Sequence, residues 1–154
     1  MIKFLEKKLL RHLFNLMPFY RRTGGRVVFI SKDEKEIHIK LPFKWNTKGW
    51  TGVLYGGHIY SAVDGVHVTL LHRIMGVQYV IWDKSAEIKY LKPARTSLLA
   101  KIIIPAGEVE TIRKILTEKD STDREYTIEW KDKNGDVCAI IEKKVHFKRK
   151  TFKR

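Results

Sequence analysis

The sequence lacks the features that mark several common protein classes. It has one cysteine, Cys138, within an apolar run, so an internal disulfide is excluded and no zinc-binding pattern exists. It has only four prolines and no low-complexity stretch that would act as a linker. Its 154 residues are therefore predicted to form one domain, residues 1–154, large enough to bury a core without cross-links.

Long uninterrupted apolar runs are also missing. No stretch approaches the length of a membrane span. In residues 1–18 the charges of Lys3, Glu6 and Lys7 interrupt the leucines, so the segment does not have the apolar core of a signal peptide. Its apolar residues recur with a helical period up to Pro18, which predicts an N-terminal helix. We expect a cytoplasmic protein.

Positive charge is abundant. The formal charge is +14, from 31 basic and 17 acidic residues, with a basic tail at residues 148–154. Such an excess of positive charge favours binding to nucleic acid, to an anionic membrane surface, or to a phosphate-rich ligand such as coenzyme A or acyl carrier protein. The aromatic residues do not alternate with basic ones as stacking platforms do. No nucleic-acid binding and no membrane insertion are expected, although a basic nucleic-acid or membrane-surface module stays as a third hypothesis.

The apolar pattern predicts an α+β domain. Alternation of Ile37, Ile39 and Leu41 indicates a strand, and Asn134-Gly135 indicates a hairpin between two strands. Residues 57–74 form the longest helix candidate and are apolar on most sides, which is typical of a helix inside a fold. The other segments are predicted as strands at 26–31, 78–91, 97–105, 124–130 and 137–149, with a short amphipathic helix at 107–120.

One carboxylate, Asp64, lies within that apolar helix candidate. Burying an unpaired charge costs several kcal/mol, so its position needs a physical reason. Asp64 is either functional or a structural acid that bonds to Ser61, His67 or the adjacent loop.

Three segments together resemble a known family. "YGGHIYSAVDG" (55–65) resembles the start of the central helix in phenylacetate-type (PaaI-like) acyl-CoA thioesterases of the hotdog superfamily, where His-Gly-Gly is followed seven residues later by an acid. "VIWDKSAEIKYLKPA" (80–94) is similar to their next strand. "NGDVCAIIEKKVHFKR" (134–149) resembles the closing strand of the superfamily's less characterised branch, a domain of unknown function.

The resemblance covers roughly residues 15–150 and departs from the family at two positions. Tyr55 stands where the family has a histidine, and Gly49 stands where it usually has an asparagine, with Asn46 nearby but out of register.

The resemblance implies a hotdog fold, in which an antiparallel sheet wraps around a long central helix. It implies catalytic roles for Asp64 as base or nucleophile and for the Gly57 backbone N–H as oxyanion donor, with no metal and no cofactor beyond the coenzyme A of the substrate. The two residues are about 10 Å apart along one helix, too far to act on one carbonyl. In the resembling enzymes the two groups meet across a homodimer, and here a homodimer or a dimer of dimers is expected.

Further residues are candidates for substrate binding, although each has an ordinary structural alternative. For the histidines, the alternative is a packing or surface position. The corner at residues 91–97 offers basic and hydroxyl groups for the phosphates of coenzyme A, and the alternative there is an ordinary corner of the chain. The candidates are Gly56, Tyr55, His58, His67, Lys92, Arg95 and Ser97.

Two leading functions follow. The first is a thioesterase that hydrolyses acyl-CoA or acyl-ACP (acyl carrier protein) thioesters. The second is a hotdog protein that binds acyl thioesters or fatty-acyl chains without hydrolysing them, because the family's histidine and asparagine are replaced.

Overall fold

The computed structural model describes residues 10–150; residues 1–9 and 151–154 lie outside the described part. One antiparallel sheet holds six strands in the order β1-β2-β4-β5-β6-β3. The strands are β1 Arg26–Ile30, β2 Glu36–Leu41, β3 Tyr79–Tyr90, β4 Leu98–Ile103, β5 Ser121–Lys131 and β6 Val137–Arg149. The helices are α1 (10–16), α2 Pro18–Arg21, α3 Gly56–Ser61, α4 Val66–Met75 and α5 Glu108–Glu118.

The strands form where the apolar alternation predicted them. Ile37, Ile39 and Leu41 on β2 are fully buried, and the residues between them face outward. The turn between β5 and β6 contains Gly135 at φ +87°, which confirms the predicted Asn-Gly hairpin. α5 confirms the predicted amphipathic helix, with Ile112 buried against the core. The α+β class and the hotdog fold are both confirmed.

The helix predicted over residues 57–74 is present as two consecutive helices. A turn over residues 62–65 separates α3 from α4, and Gly65 in that turn has φ +68°, a left-handed conformation. Such a residue cannot continue a right-handed helix, so α4 begins anew at Val66. The inner faces of both helices are still apolar and buried, and the Trp130 indole N–H donates to the Ile59 carbonyl at 2.9 Å.

Residues 10–25, called here the N-terminal segment, pack onto this central pair of helices. Of the predicted helix over residues 1–18, residues 10–16 are helical and residues 1–9 lie outside the described part. Pro18 follows the end of α1 and is also the first residue of α2. Tyr20 is buried, and its hydroxyl donates to the Ala62 carbonyl at 3.1 Å.

Within the predicted basic tail, Lys148 and Arg149 belong to β6, and residues 151–154 lie outside the described part. Among residues 10–150, no helix has both the length and the apolar character required to cross a bilayer.

The left-handed turn at Gly65 gives a test of the helix break. A Cβ at this position would contact nothing within 4 Å, so substitution affects backbone conformation rather than packing. Gly65→Ala should lower the free energy of unfolding by about 1 kcal/mol. Gly65→Asn should lower it less, because asparagine tolerates the left-handed region. Urea denaturation measures both, and equal losses would contradict a left-handed turn at this residue.

Candidate active site

The glycine pair begins α3 and lies between two tyrosine rings. The Tyr90 hydroxyl donates to the Gly56 carbonyl at 3.1 Å, and a Cβ on Gly56 would lie 2.7 Å from that hydroxyl oxygen. A Cβ on Gly57 would lie 2.6 Å from Cε1 of Tyr55. A Cβ at either position would therefore displace a tyrosine ring of this chain.

Unpaired donors and an open groove occur at the same place. The first N–H groups of a helix have no carbonyl four residues earlier within the helix to accept them, which applies here to Gly56 and Gly57. Gly56 also borders a groove of about 460 Å³, which is large enough for part of a flexible chain. The groove is lined by Val53, Leu54, Gly56, Ile59, Tyr90, Leu91, Lys92, Pro93 and Ala94.

Asp64 lies in the turn at the other end of α3, not inside a helix. Its side chain is 51% exposed, so the expectation of a carboxylate buried in an apolar helix is wrong for the single chain. The reason is the break at Gly65, which turns the Asp64 position away from the core. Its Oδ1 accepts from the Tyr60 hydroxyl at 3.2 Å and lies 3.4 Å from Nζ of Lys143.

Sequence reasoning missed two charged residues at this place. Lys143 Nζ lies 2.6 Å from Oδ2 of Asp83, and the same Oδ2 accepts the Gly65 N–H at 3.2 Å. One signal was available: Lys143 occupies an inward position in the alternation of Ile141 and Val145 on β6, where an apolar residue is expected.

His67 lies behind Asp64 in the core. It is 1% exposed and stacks on Tyr126 with ring centroids 4.6 Å apart. Burial, together with the charge of Lys143, lowers the pKa of His67 to about 3, so the ring is neutral at physiological pH. The structure therefore places this predicted substrate contact among core residues.

The remaining candidates divide into two places. His58 Nδ1 lies 2.8 Å from the Thr23 carbonyl oxygen, directed toward the N-terminal segment. Ser97 Oγ accepts the Phe43 N–H at 3.0 Å, and Arg95 is exposed on the same corner. These two residues act as ordinary corner residues in the isolated chain.

Lys92 borders the groove, and its ammonium contacts Asp132 at 2.9 Å and Asp136 at 2.8 Å. These hydrogen bonds, the one to Asp136 first, raise the pKa of Lys92. The chain thus brings Gly56 and Lys92 to one groove and leaves Asp64 beyond the opposite end of α3. Within residues 10–150, no group of three or more histidine, cysteine, aspartate or glutamate side chains is arranged to hold a metal ion.

Solved structures with the same architecture include several thioesterases. A Pseudomonas aeruginosa protein of unknown function, called a probable thioesterase, aligns over 93% of this chain and 95% of its own with a TM-score of 0.81 and 15% identity. A thioesterase from Haemophilus influenzae aligns over 93% and 90% with a TM-score of 0.68 and 14% identity. A mutant thioesterase from Pseudomonas aeruginosa aligns over 92% and 94% with a TM-score of 0.67 and 14% identity. At these identities the likeness shows the fold alone.

No match to the sequence is found among curated proteins. A family model described as Domain of unknown function (DUF4442) matches residues 6–146, which is most of the chain. This match agrees with the resemblance to a less characterised branch of the thioesterase superfamily. The chain belongs to the DUF4442 family, a domain of unknown function that has the hotdog fold.

Proposed function

We propose that this protein hydrolyses acyl-CoA or acyl-ACP thioesters at a site formed between two copies of the chain. The observation that carries the proposal is that Asp64 is both held by hydrogen bonds and open to solvent. It lies at the family's offset from the glycine pair, one carboxylate oxygen is fixed by Tyr60 and Lys143, and the side chain is half-exposed. A carboxylate that is held on one side and open on the other can accept a proton from water.

The reaction needs only groups that the chain supplies. Asp64 takes a proton from a water molecule, and the water oxygen forms a bond to the thioester carbonyl carbon. The Gly57 N–H of the other copy donates to the oxyanion that develops. The C–S bond then breaks, the thiolate leaves with the proton returned from Asp64, and a carboxylic acid and a thiol are released. No cofactor beyond coenzyme A and no metal takes part in this scheme.

Two features support assembly into a homodimer. Gly57 lies in the first turn of α3, whereas Asp64 lies in the turn beyond the last residue of this helix and outside the groove beside the glycine pair, so a site that uses both groups needs a second copy. In addition, β3 is an edge strand of 12 residues, and no other strand within residues 10–150 pairs with its outer side. An edge strand of this length suits pairing with a second copy. Two aromatic side chains of β3, Trp82 and Tyr90, are also partly exposed.

The groove beside the glycine pair suits the acyl or pantetheine chain of such a substrate. Arg95 is exposed near the groove and is the better candidate for a coenzyme A phosphate, because two aspartates already neutralise Lys92. A cytoplasmic location is proposed with the function, since acyl-CoA and acyl-ACP are found there.

A specific contact also favours the second candidate, an acyl-thioester binding protein without hydrolysis. The Tyr55 ring, where the family has a histidine, lies against Gly57, and such crowding disfavours the approach of a substrate carbonyl to this backbone. Thiol release from short, long and aromatic acyl-CoAs separates the two functions. Tight binding without release across the set would favour the binding protein.

Asp64→Asn tests the base directly. The substitution keeps the shape and removes the proton-accepting charge, so kcat should fall by about 100-fold or more while acyl-CoA still binds. The melting temperature should change little, because Asp64 is half-exposed and Lys143 keeps Asp83 as its nearer partner. Asp120→Asn, an exposed aspartate outside the site, serves as the control. A parental kcat in Asp64→Asn would contradict the assignment.

Gly57 is tested together with Tyr55. Gly57→Ala should lower both stability and turnover, because the added methyl group meets the Tyr55 ring at 2.6 Å. In the double variant Tyr55→Ala/Gly57→Ala the clash is gone, so the melting temperature should return to that of Tyr55→Ala. Turnover should stay low, because the added methyl group crowds the close approach of a substrate carbonyl to this backbone. Turnover equal to that of Tyr55→Ala would show that Gly57 acts only through packing.

Mixing two inactive variants tests the shared site. Asp64→Asn and Gly57→Val are each expected to be inactive as homodimers, but a mixed dimer holds one site in which both groups are intact. Random reassortment after joint unfolding and refolding should restore about a quarter of the parental rate. Light scattering on the same samples should show a dimer at micromolar concentration. A monomeric protein, or dimers that regain no activity after reassortment, would rule out a site made by two copies.

A further inference from the structure

Lys143 is a charged residue inside the core. Its side chain has no exposed surface, and it stands on the inward-facing side of β6 in line with Ile141 and Val145, both fully buried. Moving an ammonium group out of water costs several kcal/mol, and an apolar residue at this position would avoid that cost. Its burial therefore has to be explained by the groups it contacts.

Those groups are two carboxylates from different parts of the chain. The ammonium lies 2.6 Å from Oδ2 of Asp83 on β3 and 3.4 Å from Oδ1 of Asp64 in the turn before α4. Asp83 also accepts the N–H of Gly65, the residue next to Asp64. The Asp83–Lys143 pair thus holds the turn twice, once through the Gly65 backbone and once through the Asp64 side chain.

The two oxygens of Asp64 are in different situations. Oδ1 faces Lys143 and accepts from Tyr60, whose pKa is raised to about 12 by burial and by the nearby Asp64 charge, so its hydroxyl stays a donor. Oδ2 contacts no donor among residues 10–150, and the side chain is half-exposed.

The other ionisable groups packed around this turn do not supply positive charge. They are Tyr60 on α3, Asp83 on β3 and His67 on α4, and the buried imidazole of His67 is neutral. Two buried polar atoms, Nδ1 of His67 and Oδ1 of Asp83, have no hydrogen-bond partner in the described chain. Because none of Tyr60, Asp83 and His67 carries a positive charge, Lys143 is the cation of the described chain that faces Asp64 from the interior.

We propose that Lys143 is a positioning residue, which holds Asp64 with Oδ1 fixed inward and Oδ2 presented to the substrate. The proposal rests on the proposed thioesterase function for the reaction that Oδ2 performs. A buried cation suits this role better than a neutral donor, because hydrogen bonds between charged partners are shorter and stronger. Asp83 fixes the cation in turn, so the orientation of Asp64 does not depend on a flexible surface side chain.

The test replaces the cation with an apolar side chain of similar length. In Lys143→Met the Asp64 carboxylate loses the contact that fixes Oδ1 inward, so Oδ2 is no longer held toward the substrate. We expect kcat to fall by about 10-fold or more while KM changes little, because the loss affects the orientation of the base and not substrate binding. Lys144→Met, the same change one residue later on the outward face, is the matched control and should leave kcat and KM unchanged.

A measurement without substrate separates this inference from the proposed function. In carbon NMR of protein labelled at aspartate carboxyls, the Asp64 signal, assigned with Asp64→Asn, should change position or broaden at neutral pH in Lys143→Met relative to the parent. An unchanged Asp64 signal overturns the role of Lys143, whatever the activity. Lack of hydrolysis by the parent on every acyl-CoA overturns the proposed function instead, and the NMR shift then decides the role of Lys143 alone.

A second variant covers the case in which Lys143→Met does not fold because Asp83 is left unpaired. Lys143→Met/Asp83→Asn removes both members of the buried pair and should melt near the parental temperature. If Lys143 positions Asp64, kcat in this double variant should stay at least about 10-fold below the parental value although the protein is folded. A folded double variant with parental kcat and KM would overturn the inference.

Discussion

A lysine in the core of a sheet has to be neutralised where it stands, and this constraint shapes the region around α3 and α4. The ammonium of Lys143 takes its nearest partner from β3 and a second partner from the turn between the two helices. The same β3 aspartate accepts a backbone N–H of that turn. Helix, turn and two strands are therefore joined by one cluster of charges, and the position of the candidate base depends on it.

Much of the fold could be predicted from local patterns. The alternation on β2, the Asn-Gly hairpin and the amphipathic α5 involve neighbours within a few residues, and each is found where the pattern indicated. The glycine pair and the acid seven residues later were also recognisable, because their spacing is fixed along one segment. Local pattern and family resemblance thus reached the architecture and singled out Asp64 as a candidate, but not its place in a turn at the surface.

The partners of Asp64 could not be reached in this way. Lys143 is 79 residues from Asp64 and 60 residues from Asp83, so no window of sequence contains them together. The break at Gly65 was also missed, because the apolar residues before and after it continue the helical period and a single glycine within such a pattern does not show its backbone angle. Both misses affect the same feature, the turn that brings Asp64 out of the core.

The N-terminal segment has a consequence for where this domain begins. The Ala62 carbonyl is one of the terminal carbonyls of α3, which no intrahelical N–H can satisfy, and the buried Tyr20 hydroxyl serves it instead. The backbone carbonyl oxygen of Thr23, in the same segment, lies 2.8 Å from Nδ1 of His58 on α3. A shortened protein that started at β1 would leave polar groups at α3 without partners and would uncover the apolar surface beneath Tyr20. Residues 10–25, before the first strand, are thus an integral layer of the fold, and the smallest unit that can be expected to fold includes them.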